Sequence, residues 1–277
     1  MTLENKTVAF IGSGVMAEAM MQGLLSQNLI RPDCLIASDP HRERGAQLTE
    51  RYGLVFTTDN REAAQAGDVI VLSVKPQVME KALRDIRGQT RDGVLLLSIA
   101  AGVKIDAIKR GSGCDMVVRS MPNTPGQIGQ GITVWTCTPN VSGDQRNVAS
   151  AILGAMGETL YVEDEHYLDM ATALNGTGPA YVFLVMEALI DAGVHLGFSR
   201  NDAERLVLQT MRGSVEYAIQ SRLHPAQLRN QVTSPGGTSA AAIYQLEKGG
   251  LRTVISKAVF SAYQRSIELG KKDEDED

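Results

Sequence analysis

The chain has 277 residues, of which 43% are hydrophobic and 21% charged, and a formal net charge of −5. Such a composition excludes a disordered or fibrous protein and predicts one large or two modest globular domains. With 27 basic against 32 acidic residues and only 5% aromatic side chains, the chain lacks the basic surface and stacking rings of a nucleic-acid-binding protein. A small-molecule enzyme fits these values better.

Few features of the sequence indicate a metal, a disulfide or a membrane. The three cysteines form no C-x-x-C pair, and the four histidines lack the spacing of metal ligands. The first residues are polar, unlike a signal peptide, and the longest apolar stretch, residues 180–196, is interrupted by Glu187, Asp191 and His195. We therefore expect a cytoplasmic protein with no metal and no membrane partner, ending in a flexible acidic tail over residues 271–277.

Residues 1–163 alternate short apolar runs, rich in valine, isoleucine and leucine, with helical patterns. Continuous apolar runs are typical of strands that helices cover on both faces of a sheet. Strands are predicted at residues 7–12, 34–38, 55–58, 68–74, 93–99, 116–121, 131–137 and 159–162. The first half of the chain is therefore predicted to be an α/β domain with a doubly wound sheet, a dinucleotide-binding Rossmann domain.

Residues 164–270 carry helical patterns only. Helices are predicted at residues 165–174, 179–196, 200–220, 225–232, 238–247 and 251–269. The helix from residue 179 is apolar around most of its circumference, which is more apolar surface than a domain of this size can bury. We expect an all-α domain that associates with a second subunit, with the domain boundary near residue 163.

The first predicted strand leads through a glycine-rich turn into a helix. In this G-x-G-x-x-A turn, Gly12 permits the tight turn, Gly14 lets the backbone approach a diphosphate, and Ala17 allows close helix packing. The strand, turn and helix in this order predict a dinucleotide site. A glycine-rich turn that binds nothing is the alternative.

The choice between NADH and NADPH depends on the end of the second predicted strand. An acidic residue there accepts hydrogen bonds from the adenosine ribose, whereas a small polar residue with cations nearby accommodates the extra phosphate of NADP. Ser38 ends the strand, with Arg42 and Arg44 close by, but Asp39 follows directly and would repel a phosphate. The balance favours NADPH and leaves NADH open.

Three further turns follow predicted strands and should meet at the same edge of the sheet. Lys75 can contact the ribose near the nicotinamide, and the small residues 100–102 leave room for a flat ring. Asn123 can both donate to and accept from an amide. An exposed lysine and ordinary turn residues are the alternative.

Two segments of the helical half resemble ligand-binding turns more than scaffold. Residues 175–181 form a predicted small-residue loop before the long apolar helix, and residues 233–239 combine glycines and hydroxyls at the start of another helix. Helix N-terminal amides and hydroxyls together satisfy a carboxylate without a buried arginine. An ordinary N-cap is the alternative for the second segment.

The position of the lysines bears on the reaction. No lysine occurs between Lys109 and Lys248, so the start of the helical domain has no lysine to protonate a carbonyl oxygen. Reduction of a ketone needs such an acid. A protonated imine is already electrophilic and its product amine keeps the proton, so positioning can supply much of the rate. The sequence favours an imine over a ketone as substrate.

These segments, taken in order, resemble the Δ1-pyrroline-5-carboxylate reductase family. The resemblance covers nearly the whole chain and is most specific at residues 232–239, Val-Thr-Ser-Pro-Gly-Gly-Thr-Ser. It also involves residues 10–17, 74–76, 100–103, 121–125, 178–183 and 224–225. It implies NAD(P)H-dependent reduction of the cyclic imine to L-proline, the last step of proline biosynthesis. It further implies a homodimer, in some members a ring of dimers, with the active site where the helical domain of a second subunit meets the first.

The resemblance also places site residues on this chain. Cofactor contacts fall on Ile11, Gly12, Ser13, Gly14, Val15, Met16, Ser38, Asn60, Val74, Lys75 and Ala101. Substrate contacts fall on Glu165, Gly236, Gly237, Thr238 and Ser239. Glu165, Thr238 and Ser239 are the implied catalytic residues, and the Ser239 hydroxyl is the group implied to reach the ring nitrogen.

The chain departs from the family at a few positions. Asn175 and Thr177 stand in a segment that is usually Ser-Gly-Ser-Gly, Ser239 stands where threonine is usual, and Gln231 replaces an asparagine that some relatives place near the cofactor. Because the hydroxyls at Thr177 and Ser239 survive, we expect the reaction type to hold. Reduction of another cyclic imino acid, such as the six-membered homologue, is the alternative enzyme. A nucleotide-sensing scaffold without turnover is the alternative outside enzymes.

Overall fold

The computed structural model describes Leu3 and residues 5–271. Most of the predicted acidic tail therefore lies outside the described residues. The chain divides into two compact units, Met1–Gly178 with Ala262–Asp277 and Pro179–Ser261. The domain boundary predicted near residue 163 stays a prediction, because the two units are defined by compactness and not by function.

The first unit contains an eight-stranded sheet in the order β3-β2-β1-β4-β5-β6-β7-β8. The strands are β1 Val8–Ile11, β2 Leu35–Ser38, β3 Val55–Thr57, β4 Val69–Leu72, β5 Leu95–Ser98, β6 Val117–Met121, β7 Gly131–Cys137 and β8 Gly157–Tyr161. Neighbouring strands are parallel except for β6 and β7, which pair antiparallel. All eight predicted strands are present, and the predicted doubly wound α/β fold is confirmed.

Helices connect the strands of this unit. They are α1 Val15–Ser26, α2 Arg42–Tyr52, α3 Asn60–Ala66, α4 Met79–Ile86, α5 Ile105–Ser112, α6 Gly143–Gly154 and α7 Tyr167–Ala171. Short 3₁₀ turns occur at Pro32–Cys34, Pro76–Val78 and Thr124–Ile128, each with a proline at its start, where the missing N–H costs nothing. A π-helix, Thr172–Gly176, continues α7.

The core of the first unit lies on both faces of the sheet. Because side chains alternate along a strand, Val8 and Phe10 of β1 join one buried cluster while Ala9 and Ile11 join the other. All four are fully buried, as the central strand of a sheet covered on both sides requires. This rigid double-sided packing fixes the carboxyl ends of β1, β2 and β4, where the candidate site begins.

The second unit is helical throughout. Its helices are α8 Gly178–His195, which starts in the first unit, α9 Arg200–Ser221, α10 Pro225–Gln231, α11 Thr238–Lys248 and α12 Leu251–Lys271. The last of these passes back into the first unit at Ala262. The predicted helices are confirmed, with ends that differ by no more than two residues.

Helix α8 exposes much of its apolar surface within the single chain. Phe183 and Leu184 are 59% and 66% exposed. The stretch Tyr167–His195 is long and apolar enough to cross a membrane by length and composition alone, and its most apolar part is not buried within the chain. An exposed apolar surface of this kind marks a contact with another molecule.

Candidate functional site

The glycine-rich turn lies where the connections of the sheet change direction. Strand β1 pairs with β2 on one side and β4 on the other, and ligands of open α/β sheets bind at such a point. Gly12 has φ +92°, and a Cβ on it would lie 2.8 Å from Cγ1 of Val74 and 3.0 Å from the carbonyl oxygen of Ser73. Only glycine fits there without strain.

The other side of the turn is open. A Cβ on Gly14 would meet no atom within 4 Å, and Gly14 is the N-cap of α1 without any side-chain cap. The first N–H groups of α1 thus have no side-chain acceptor at the cap, and with the positive end of the helix dipole they form an anion site. This arrangement suits the diphosphate of a dinucleotide.

Ser13, between the two glycines, is completely buried and held from both sides. Its N–H and its hydroxyl donate to Oδ2 of Asp39 at 3.1 and 2.9 Å. Its carbonyl oxygen accepts from Nε of Arg44 at 2.9 Å. Oδ1 of Asp39 accepts from the N–H of His41 and contacts its ring Nδ1, at 3.0 and 2.8 Å.

The Arg44 guanidinium is fixed in turn by Glu18, in the first turn of α1. Its second terminal nitrogen lies 2.5 Å from Oε2 of Glu18, while Arg51 and the hydroxyl of Tyr52 donate to Oε1 at 3.0 and 2.9 Å. Burial opposes ionisation of the Glu18 carboxyl, but the hydrogen bonds from Arg44 and Tyr52 outweigh it and keep its pKa below the ordinary value. The network ties α1 to α2.

Two predicted cofactor residues meet beside this network. Ser38, the last residue of β2, donates its hydroxyl proton to Oδ1 of Asn60 at 2.7 Å. The Asn60 amide donates to Oδ2 of Asp85 at 3.0 Å. Sequence reasoning placed Ser38 and Asn60 in one site through the resemblance, and the structure brings them together.

The turns after β4 and β5 carry three more of the predicted cofactor-binding residues, Val74, Lys75 and Ala101. The Val74 side chain lies against Gly12, and Lys75 is exposed at the start of the turn Pro76–Val78. Ala101 is half-buried and precedes Gly102, which has φ +78° and would place a Cβ 3.2 Å from Cβ of Leu269. Glycine at position 102 therefore suits both the left-handed backbone and the close approach of α12.

Of the two alternatives for Asn123, a ligand contact and an ordinary turn residue, the structure favours the second. Its Oδ1 accepts from the N–H of Ile132 at 3.0 Å, so the acceptor is used by the strand that follows. The predicted loop at residues 175–181 is wrong in form, because the chain there runs from the π-helix into α8. Asn175 donates from Nδ2 to the carbonyl oxygens of Met121 and Ile132, at 3.3 and 3.1 Å.

Glu165 lies beside a buried arginine that sequence reasoning missed. Arg119 of β6 is 3% exposed, and its Nη1 lies 2.6 Å from Oε1 of Glu165. The same oxygen accepts from the N–H of Ile105 at 2.8 Å, at the start of α5. Nη2 of Arg119 lies 3.7 Å from Oδ1 of Asp169, which accepts from the hydroxyl of Ser266 at 2.8 Å. The available signal was a charged residue in a strand that is otherwise uncharged and almost fully buried.

The residues of the second unit that were predicted to bind substrate lie at the start of α11. Gly236 has φ +72°, and Gly237 is the N-cap with no side-chain cap. The N–H of Gly237 donates to the carbonyl oxygen of Ser234 at 3.0 Å, so it is not one of the exposed donors that the glycine pattern predicted. Thr238 is exposed and Ser239 half-buried, at the first two positions of the helix.

The hydroxyls of this segment are not all available either. The Thr233 hydroxyl donates to the carbonyl oxygen of Arg229 at 2.6 Å, so it closes α10 and does not point to a ligand. Oε1 of Gln231 accepts from the hydroxyl of Tyr217 at 3.3 Å within the same unit. The other hydroxyls of the segment belong to Ser234, before the N-cap, and to Thr238 and Ser239, the first two residues of α11.

Comparisons with known proteins cover both halves of this arrangement. Residues 165–269 match the family described as pyrroline-5-carboxylate reductase dimerisation, and residues 7–102 match NADP oxidoreductase coenzyme F420-dependent. The pyrroline-5-carboxylate reductase of Synechocystis is 42% identical over 96% of this chain and 98% of its own length. That of Pseudomonas aeruginosa is 40% identical over 95% and 97%. This chain belongs to the pyrroline-5-carboxylate reductase family.

Solved structures agree with that assignment. The pyrroline-5-carboxylate reductase from Coxiella burnetii superposes with a TM-score of 0.90 at 36% identity, covering 97% of this chain and all of that one. The Plasmodium falciparum pyrroline carboxylate reductase, solved with NADP bound, gives a TM-score of 0.88 at 34% identity over 96% and 99%. The expected Rossmann domain followed by helices is thus the fold of the family.

The departures of this pyrroline-5-carboxylate reductase family member are accommodated locally. The Thr177 hydroxyl donates to the carbonyl oxygen of Thr172 at 2.8 Å, within the π-helix. Oδ1 of Asn175 is buried and has no hydrogen-bond partner among the described residues. Both side chains therefore shape the turn before α8 through the backbone.

Proposed function

We propose that this chain reduces Δ1-pyrroline-5-carboxylate to L-proline with NADPH or NADH, the last step of proline biosynthesis. The observation that carries the proposal is the presence, in one family member, of an intact glycine-rich turn and an intact loop before α11. The first suits a dinucleotide and the second a small carboxylate. The NADP-bound relative supports NADPH as cofactor.

The residues present fit a dinucleotide. Val74 occupies the space that a Cβ on Gly12 would fill, whereas no atom lies within 4 Å of a Cβ placed on Gly14. A diphosphate can therefore approach the backbone at Gly14 and the N-terminus of α1. Ser38 and Asn60 would face the adenosine ribose. Val74, Lys75 and Ala101 would lie toward the nicotinamide, which supplies the hydride when bound. The remaining proposed contacts are Ile11, Ser13, Val15 and Met16.

The substrate carboxylate is proposed to bind the N–H groups and hydroxyls of Thr238 and Ser239, after the turn Gly236–Gly237. These donors stand at the uncapped start of α11, where the helix dipole favours an anion. The Ser239 hydroxyl is proposed to hold the ring nitrogen. Since a protonated imine needs no added proton, orientation of the ring is the main contribution of these residues.

Glu165 is proposed to face the substrate with one oxygen only. Its Oε1 is occupied by Arg119 and the N–H of Ile105, while Oε2 has no hydrogen-bond partner among the described residues. Arg119 keeps the carboxylate in place, so its role for Glu165 is that of a positioning residue. We keep Glu165 as a catalytic candidate on this basis.

The apolar surface of α8 is proposed to be covered by a second copy of the chain. The family match over residues 165–269 is to a dimerisation domain, which supports association through the helices. A ring of dimers and a cytoplasmic location remain part of the proposal. Sedimentation of the purified protein would reveal the number of subunits.

The test is the loss of NADPH absorbance, and then of NADH absorbance, with purified protein and pyrroline-5-carboxylate. We expect rapid oxidation with at least one cofactor, and the ratio of the two kcat/KM values gives the preference. The six-membered homologue, tested at the same concentrations, measures ring-size selectivity. No oxidation of either cofactor with either imine would overturn the proposal.

A further inference from the structure

Asp39 is the residue that left the cofactor choice open in the sequence, and its contacts are unusual for a ribose acceptor. The carboxylate is only 15% exposed. Oδ2 accepts from the N–H and the hydroxyl of Ser13, and Oδ1 accepts from the N–H of His41 and contacts its ring. A carboxylate offers about four acceptor sites, of which three accept from the N–H and hydroxyl of Ser13 and the N–H of His41, and the fourth faces the His41 ring.

A ribose-reading acid needs free acceptor sites. An acidic residue that selects NADH accepts from the hydroxyls of the adenosine ribose. Oδ2 of Asp39 could accept from a ribose only by giving up its bonds to Ser13, which is completely buried and whose hydroxyl has no other acceptor among the described residues. Leaving a buried donor without a partner is costly. The observed geometry therefore commits Oδ2 to the glycine-rich turn, while Oδ1 is turned toward His41.

The carbonyl oxygen of Ser13 is bonded as well, and this shows that the contact with Asp39 is part of a network that holds the turn. Arg44 holds the Ser13 carbonyl oxygen, and Glu18 of α1 holds Arg44. Ser13 lies between Gly12 and Gly14, neither of which has a Cβ to restrict its own backbone. Gly12 is held by its N–H to the carbonyl oxygen of Ser38 and by the Ser73 hydroxyl on its own carbonyl oxygen, at 2.8 and 2.7 Å. Asp39 and Arg44 hold the next residue, Ser13, from opposite sides.

We propose that Asp39 is a positioning residue for the diphosphate-binding turn and does not read the adenosine ribose. Its removal then weakens every ligand that carries the diphosphate, irrespective of the 2′ group. The inference rests on the proposed function only for the identity of the ligand. Cofactor selectivity is left to other groups, among them the Ser38 hydroxyl at the end of β2 and the Asn60 amide at the start of α3.

The test measures binding by calorimetry, without the imine, for NADPH, NADH and ADP. In Asp39→Asn we expect all three dissociation constants to rise together, by roughly 5- to 50-fold, for the loss of a charged acceptor. The ratio of the NADPH and NADH constants should change less than about twofold, since neither ligand contacts Asp39. With saturating cofactor, kcat should stay near the original value while KM for both cofactors rises.

Three variants separate positioning from a general loss of structure. Ser13→Ala removes the hydroxyl but keeps the N–H, so it should weaken the same three ligands by a smaller factor. The double variant Ser13→Ala with Asp39→Asn should bind each ligand at most about twofold more weakly than Asp39→Asn alone. The reason is that the Ser13 hydroxyl acts through its bond to Asp39. Asp33→Asn, which removes an equal charge from an exposed pair with Arg31, should leave all three constants unchanged.

Three results would overturn the inference. Weaker binding of NADH and ADP with unchanged or tighter NADPH would identify Asp39 as a ribose reader. Unchanged binding of all three ligands would remove Asp39 from the cofactor site. A parallel fall in melting temperature and kcat would make the role merely structural. Failure of imine reduction with binding intact would instead concern the proposed function.

Discussion

Nη1 of Arg119 lies 2.6 Å from Oε1 of Glu165, and the arginine side chain is 3% exposed. A buried guanidinium is tolerated only when it is paired, and here Asp169 lies on its other side at 3.7 Å. The pair joins the sheet to the chain just before α7. It therefore connects the central scaffold to a carboxylate that we propose for the substrate site.

Replacing Arg119 tests both consequences of this pair. Arg119→Met leaves two neighbouring carboxylates without their cation, and we expect a loss of about 2–4 kcal/mol of stability together with a lower kcat/KM. Arg119→Lys keeps the charge and should restore part of both. Thermal unfolding and initial rates are the measurements.

Arg200 provides the matched control for Arg119. It forms an ion pair with Asp191 in which both side chains are largely exposed, so Arg200→Met should cost less than about 1 kcal/mol. Equal effects of the two substitutions would contradict a special role for the buried pair.

Most of the fold could be predicted from the sequence, because strands, helices and turns are encoded by patterns of neighbouring residues. Apolar runs mark the central strands β1, β2, β4 and β5, and the glycine-rich turn after Ile11 marks the start of the dinucleotide site. The helices of the second half follow their apolar periodicity to within two residues. Because helices cover both faces of the sheet, the central strands must be apolar on both sides, and this produces the continuous apolar runs seen in the sequence.

The side-chain contacts of the site were not readable, because they join residues far apart in sequence. Ser13 and Asp39 are 26 positions apart, and Arg119 and Glu165 are 46. The local sequence pattern does not predict that Asp39 bonds to Ser13 in the glycine-rich turn, or that Arg119 of β6 pairs with Glu165. The two alternatives for Asn123 stayed open for the same reason, since its contact with Ile132 is a tertiary one.

The two glycines of the dinucleotide turn should respond differently to alanine. Gly12→Ala places a Cβ 2.8 Å from Val74 at φ +92°, so we expect roughly 1–3 kcal/mol of destabilisation and loss of cofactor binding. Gly14→Ala meets no protein atom within 4 Å and should leave the melting temperature nearly unchanged while weakening NADPH. Thermal unfolding and calorimetry separate these effects. Equal melting temperatures for the two variants would contradict the steric argument.

Acid should loosen the network around Ser13. Burial raises the pKa of the Asp39 carboxyl, but hydrogen bonds from His41 and Ser13 outweigh it, and the pKa is lowered overall, as it is for Glu18. A lowered folded-state pKa contributes stability that is present above the unfolded value, about 4, and is lost as the pH falls through the folded value.

The pH dependence of unfolding measures this contribution. The melting temperature should fall steeply below about pH 4, and the double variant Glu18→Gln with Asp39→Asn should show a shallower fall over the same range. The matched control is Asp33→Asn with Glu43→Gln, at exposed positions. Identical slopes in the wild type and the first double variant would show that these carboxyls do not carry the acid sensitivity.

The start of α11 gives the most direct test of the proposed chemistry. Ser239→Ala removes one hydroxyl from the uncapped helix start, and kcat/KM for the pyrroline should fall by a few-fold to a hundredfold, about 1–3 kcal/mol for one hydrogen bond to a charged group. Ser239→Thr keeps the hydroxyl and should retain most of the activity. Dissociation constants for NADPH should not change in either variant. Ser214→Ala, whose hydroxyl only donates to the carbonyl of Thr210 within α9, should have no effect on the rate. An unaltered kcat/KM in Ser239→Ala would remove this hydroxyl from the reaction and leave the carboxylate contacts to Thr238 and the helix amides.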